Sequence, residues 1–118
     1  MSDTATTRPA YRYAAALVRV VDGDTIVFRI DLGFHVHIET PVRILGWSCP
    51  ELHEPLGPEA KAAAEELLRG ATQIIVETKR DTQTFSRWLG IVWVNTLDVN
   101  GVELGALLAD RGLARLGR

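Results

Sequence analysis

Cysteine is almost missing from these 118 residues. Cys49 is the only one, so no internal disulfide can form and the fold must rest on buried apolar surface and hydrogen bonds, which a reducing compartment allows. Long hydrophobic runs are missing as well: the longest, Tyr13 to Val18, is far short of the roughly 20 residues that cross a bilayer. The start, Met1-Ser2-Asp3-Thr4, lacks the charged-then-apolar pattern of a secretory signal, so the expectation is a cytoplasmic protein with no membrane partner. An excess of charge of either sign is lacking too. With 13 Lys and Arg against 15 Asp and Glu the net charge is −2, which gives no global basic field; any nucleic-acid site must be local. There is no internal repeat and no low-complexity tract. A chain this short holds one core rather than two, and a monomer is the default expectation.

What is present reads as a small β-rich domain over 13–118 behind a flexible leader, 1–12, rich in Thr, Ser and Asp and carrying Pro9. Leu17, Val18, Val20 and Val21 lead into Asp22-Gly23-Asp24, and β-branched and aromatic residues resume from Thr25 to Ile30. Asp-Gly between two such runs predicts a hairpin in which Gly supplies positive φ. A turn at Asp31-Leu32-Gly33-Phe34 opens a third strand, His35 to Leu45, with Val36, Ile38, Val42 and Ile44 expected to face inward and Pro41 at an edge or bulge. Gly57-Pro58-Glu59-Ala60 then starts a helix. Ala60, Ala63, Ala64, Leu67 and Leu68 form its apolar stripe and Gly70 stops it. Gln73 to Thr78 and Trp88 to Val94 read as strands joined by a polar loop, Lys79 to Arg87. After a turn at Asn100-Gly101, Leu104, Leu107 and Leu108 make a short helix ended by Gly112. Five short strands are best protected by closing into a barrel, and a helix after the third is the usual plug of an OB-fold barrel.

Three polar clusters sit at strand ends or turns, where side chains are not needed for the core: Asp22-Gly23-Asp24-Thr25, Arg43 with Ser48-Cys49-Pro50-Glu51, and Arg87. Each alone has an ordinary structural explanation as a turn, a surface ion pair or a loop. Basic residues are also grouped, as Lys79-Arg80 with Arg87 and as Arg111, Arg115 and Arg118, where scattered surface charge competes with a basic stripe.

Taken in order, these blocks resemble the staphylococcal nuclease (thermonuclease) family. The matching stretches are Val20-Val21-Asp22-Gly23-Asp24-Thr25, Val42 through Glu51, Gly57-Pro58-Glu59-Ala60, Phe85 through Gly90, and Leu108 with Arg111-Gly112-Leu113-Ala114. The resemblance implies a five-stranded OB-fold barrel with a helix after strand 3 and a short C-terminal helix. It also implies metal-dependent endonuclease activity on DNA or RNA with little sequence specificity. Asp24 would then be a carboxylate ligand of a divalent cation, calcium foremost and magnesium or manganese otherwise, with Asp22 acting through water and Cys49 offering its backbone carbonyl. Glu51 would orient or deprotonate the attacking water, and Arg43 and Arg87 would grip the phosphate. Lys79 and Arg80, with Arg87, would contact the nucleic acid.

The departures from that pattern bear on the same site. Ser48 stands where the family offers a second carboxylate, so the cation should be held more weakly. Ser86 replaces the glycine before the second arginine, Thr84 and Phe85 replace the lysine and tyrosine there, and the base-stacking aromatic of a longer C-terminus is absent. A non-catalytic OB module that binds nucleic acid or protein is therefore the competing function. His35 and His37 alternate on one strand and read as surface residues, His53 stands two residues beyond Glu51, and Trp47, Trp88 and Trp93 fit core packing better than base stacking.

Overall fold

The computed structural model describes residues 10–79, 83–84, 87–96 and 101–117, the side chains of Ala10, Lys79, Gln83, Thr84 and Arg87 excepted. Five long strands carry the fold: β1 (Ala10–Asp22), β2 (Thr25–Gly33), β3 (Val36–Ile44), β5 (Gln73–Lys79) and β7 (Arg87–Asn95). Four two-residue strands, β4 (Trp47–Ser48), β6 (Gln83–Thr84), β8 (Val102–Glu103) and β9 (Arg115–Leu116), and two helices, α1 (Gly57–Arg69) and α2 (Leu104–Asp110), complete the described elements. The long strands pair in the order β3-β2-β1-β5-β7, and β3 returns to β7 in parallel through Val42↔Trp88, Arg43↔Leu89 and Ile44↔Gly90. That pairing closes a mixed five-stranded barrel of the OB type. Closure leaves the long strands no continuous free edge around the barrel.

Inward positions alternate along each strand, as pleating requires. Ile26, Phe28, Val42, Ile44, Val76, Val92 and Val94 fill the barrel. α1 lays Ala60, Ala63, Ala64 and Leu68 against it, and α2 adds Leu104 and Leu108. Small alanines let α1 approach closely. Its N-cap, Leu56, sits at φ 70 with no side-chain cap, and Gly70 ends the helix with φ −83, so no left-handed residue stops it.

Several expectations shift. β1 begins at Ala10, inside the expected leader, because Ala10 through Ala15 pair with β5; residues 1–9 lie outside the described set. Val36 and Ile38 share a face with Val42 and Ile44 but remain 49% and 41% exposed, because the β2–β3 hairpin runs beyond the end of the barrel core. The turn of that hairpin is Phe34-His35, both at positive φ (55 and 62), two residues later than the sequence suggests. Pro41 stands one residue before the β7 ladder begins at Val42, a position that needs no N–H for that ladder. Within the expected polar loop, Gln83 and Thr84 pair back onto β7.

Candidate active site

The β1–β2 turn is built by packing rather than by backbone conformation. Asp22 pairs with Thr25, so the loop is Gly23-Asp24, and Gly23 is not among the glycines at positive φ. Glycine is required there for another reason: a Cβ would lie 2.9 Å from the Cβ of Cys49, 3.0 Å from that of Ala60 and 3.1 Å from the Cys49 Sγ. An irregularity in register between Val20 and Asp22 leaves Val21 unpaired and 43% exposed, the kind of bulge that re-aims the residues after it.

The turn delivers Asp24 to a buried position, 8% exposed. Its Oδ2 accepts a hydrogen bond from the Cys49 backbone N–H at 3.2 Å, its Oδ1 accepts one from the Thr25 hydroxyl at 3.4 Å, and its carbonyl accepts one from the Ile44 N–H at 3.0 Å. The Arg43 Nη2 stands 3.8 Å from the same Oδ2. Asp22 lies beside it, and burial, together with the hydrogen bond and like charge of Asp24, pushes its carboxyl up to about 6. Asp22 Oδ1 and Arg43 Nε are buried with no hydrogen-bond partner. An orphaned carboxylate oxygen beside a second carboxylate is a strained arrangement that a cation would relieve.

Cys49 is buried, and its thiol is pushed up to about 12 by burial and by the charges of Asp24 and Asp22. It stays protonated near neutral pH and is no nucleophile. Its contact with Asp24 runs through the backbone N–H. Beyond Pro50 the chain turns tightly: Glu54 N–H donates to the Glu51 carbonyl at 2.8 Å, and Glu51 N–H donates to the Glu54 Oε1 at 2.7 Å. Glu51 is exposed, with His53 Nδ1 at 3.7 Å from its Oε1. Gly57 backs this turn, since a Cβ there would collide with the Glu51 carbonyl oxygen.

The last wall comes from the end of the chain. α2 ends in a Schellman motif, with Gly112 at φ 74, its N–H donating to the Ala109 carbonyl at 2.9 Å, and the Leu113 N–H donating to the Leu108 carbonyl at 2.9 Å. From there β9 pairs with β4, setting Arg115 opposite Ser48. Together these parts enclose one cavity of about 510 Å³. Asp22, Asp24, Arg43, Ser48, Cys49 and Glu51 line it, as do Glu54, Arg115 and the 112–114 segment.

Of the residues singled out from sequence, Asp22, Asp24, Arg43, Ser48, Cys49 and Glu51 thus share one cavity. Arg80, Phe85, Ser86 and Arg118 lie outside the described residues, as do the side chains of Lys79 and Arg87; the backbone of Arg87 opens β7, one residue before the Trp88 that pairs with Val42. Arg111 is drawn away from any basic stripe by Glu66, at 3.1 Å, and its guanidinium holds that carboxyl below its usual range. His37 lines a shallow depression with Arg29 and Asp31 elsewhere on the barrel. Trp47 packs on Gly105 of α2 and donates to Glu103 at 3.2 Å, while Trp93 donates to Glu77 at 3.0 Å beneath the Arg12 guanidinium. Trp88 is 38% exposed, not a core residue. Sequence reasoning missed Glu54 and the place of Arg115, although the Arg111-Gly112-Leu113-Ala114 block pointed to that stretch.

Among the described residues no group of three or more His, Cys, Asp or Glu side chains is placed to hold a metal ion. The donor set present, two carboxylates and a serine hydroxyl, is all oxygen and suits a hard divalent cation that takes its remaining ligands from water or substrate. Comparison with protein-family models and with curated proteins finds no match.

Proposed function

We propose that this barrel is a divalent-cation-dependent nuclease that hydrolyses phosphodiester bonds in DNA or RNA with little sequence preference. The observation that carries this reading is that Asp22, Asp24, Arg43 and Glu51, distant along the chain, line a single cavity. Asp24 would hold the cation, calcium foremost, with Asp22 acting through water; when bound it supplies charge for the phosphoryl oxygens and a lower pKa for attacking water.

The chain's own residues supply the rest. Arg43, braced by Asp24, presents a guanidinium that can give two parallel hydrogen bonds to the phosphate and meet the extra charge of the transition state. Glu51, exposed on the cavity and fixed at its backbone by Glu54, is the carboxylate free to orient water and take its proton. Arg87 takes the second phosphate-binding role that the family resemblance implies.

The deciding experiment is a cleavage assay on single-stranded DNA and RNA in millimolar calcium, magnesium and manganese beside an EDTA control. Cation-dependent cutting, lowered about 10²- to 10⁴-fold by Glu51→Gln, is expected, with a comparable loss in Arg87→Ala. No cutting in any cation rejects the reading. Ser48 on the cavity, where the family resemblance implies a carboxylate, favours one competitor: a module that keeps the barrel and binds nucleic acid or protein without chemistry. Calorimetric cation binding that disappears in Asp24→Ala would count against that competitor.

A further inference from the structure

We infer that Arg115 is a substrate-contacting residue of this cavity, taking a phosphate adjacent to the one held by Arg43 and so selecting polynucleotides over small diesters. The inference rests on the reading of the cavity as a phosphodiester site. Three features support it.

Arg115 does not sit on a loose tail. β9 is pinned to β4 at Ser48↔Arg115 and Trp47↔Leu116, and the Gly117 N–H donates to the Gly46 carbonyl at 3.0 Å. Upstream, the Schellman turn and the two hydrogen bonds from Arg111 to the Glu66 carboxylate, 3.1 and 3.4 Å, tie the same segment to both helices. The backbone that carries Arg115 is thus fixed on both flanks, so binding need not order the segment itself.

Its guanidinium is also uncommitted. Arg43 faces Asp24, whereas Arg115 makes no ion pair among the described residues although carboxylates line the same cavity. With Arg43 committed to Asp24 and the scissile phosphate, Arg115 is the described cation left to meet further substrate charge. An arginine fork suits a phosphate better than a lysine would. Finally, about 510 Å³ falls in the range that accommodates a drug-sized ligand, more than a lone phosphate needs.

The test compares wild type, Arg115→Ala, Arg115→Gln and Arg115→Lys on a short single-stranded oligonucleotide and on bis(p-nitrophenyl) phosphate, which has one phosphorus and no neighbour. Oligonucleotide binding is followed by anisotropy across a salt series in calcium, and thermal melting checks that each variant folds. The ratio of kcat/KM on the oligonucleotide to that on the small diester should fall about 10-fold in Arg115→Ala and Arg115→Gln, chiefly through KM. The slope of log affinity against log salt should become shallower by about 0.7, the value of one phosphate contact on a single strand, and Arg115→Lys should restore it. If wild type cuts but the ratio and slope are unmoved by Arg115→Ala, the inference is wrong and the nuclease reading stands. If wild type binds without cutting, the nuclease reading fails and the salt slope alone decides the role of Arg115. If it neither binds nor cuts, both fall.

Discussion

Asp22 is under electrostatic stress, and its stress has a sign. Burial and the neighbouring Asp24 raise its carboxyl from an ordinary value near 3.8 to about 6, so the folded protein holds this proton more tightly than the unfolded chain does. Between those two values stability falls as pH rises, and above about 6 the ionised carboxylate is a net cost. In EDTA, wild type should therefore lose melting temperature between pH 4 and pH 7, and Asp22→Asn should flatten that loss and melt higher than wild type at pH 7. Thermal melts at a series of pH values check this, and an unchanged profile would mean that Asp22 is not strained. Such residues were partly legible in the sequence. Asp24, Arg43 and Glu51 are chemically marked types at turns and strand ends, so their role could be suspected before their meeting was known. Glu54 and Arg115 carry the same chemistry but stand among ordinary surface charges. What sets them apart is a four-residue turn and a two-residue strand, neither of which leaves a periodicity to read.

At the scale of elements, long strands announce themselves by alternation and α1 by its alanine stripe, whereas the contact between elements does not. The β1–β2 turn shows this: Asp-Gly gave the hairpin correctly, yet the glycine serves a close approach to Cys49 and Ala60 rather than a positive φ. Likewise Val36 and Ile38 have the inward parity but not the burial, because alternation says which face a residue takes and not where the barrel ends. The consequence for Gly23 is testable. Gly23→Ala inserts a methyl with contacts of 2.9 and 3.0 Å to two Cβ atoms, neither of which can rotate away, so the turn and α1 must part. A loss of about 1–3 kcal/mol in denaturant unfolding is expected. Because the same turn carries Asp22 and Asp24, cation affinity measured by calorimetry should fall with it. Retained stability with retained affinity would show that the turn has slack the packing does not suggest.

For the whole molecule the governing fact is charge. The chain carries −2, and the cavity itself has four carboxylates against two guanidiniums, so neither the protein nor its proposed site attracts a polyanion unaided. None of the described helices is long and apolar enough to cross a membrane, and the OB-type barrel offers its polar cavity beside the packed end where α1 meets Gly23. On the nuclease reading, a divalent cation has to convert that cavity from a repulsive to a receptive surface before substrate can bind. Single-stranded DNA should accordingly bind at least about 10-fold more weakly in EDTA than in millimolar calcium, a difference of about 1.4 kcal/mol. Asp24→Asn sharpens the comparison, since the amide oxygen can still accept from the Cys49 N–H while one negative charge is removed. That variant should bind DNA more tightly than wild type in EDTA and gain less from calcium, an inversion that general loss of structure would not produce. Equal affinities with and without cation, in wild type and variant alike, would mean that nucleic acid reaches this protein by some other face.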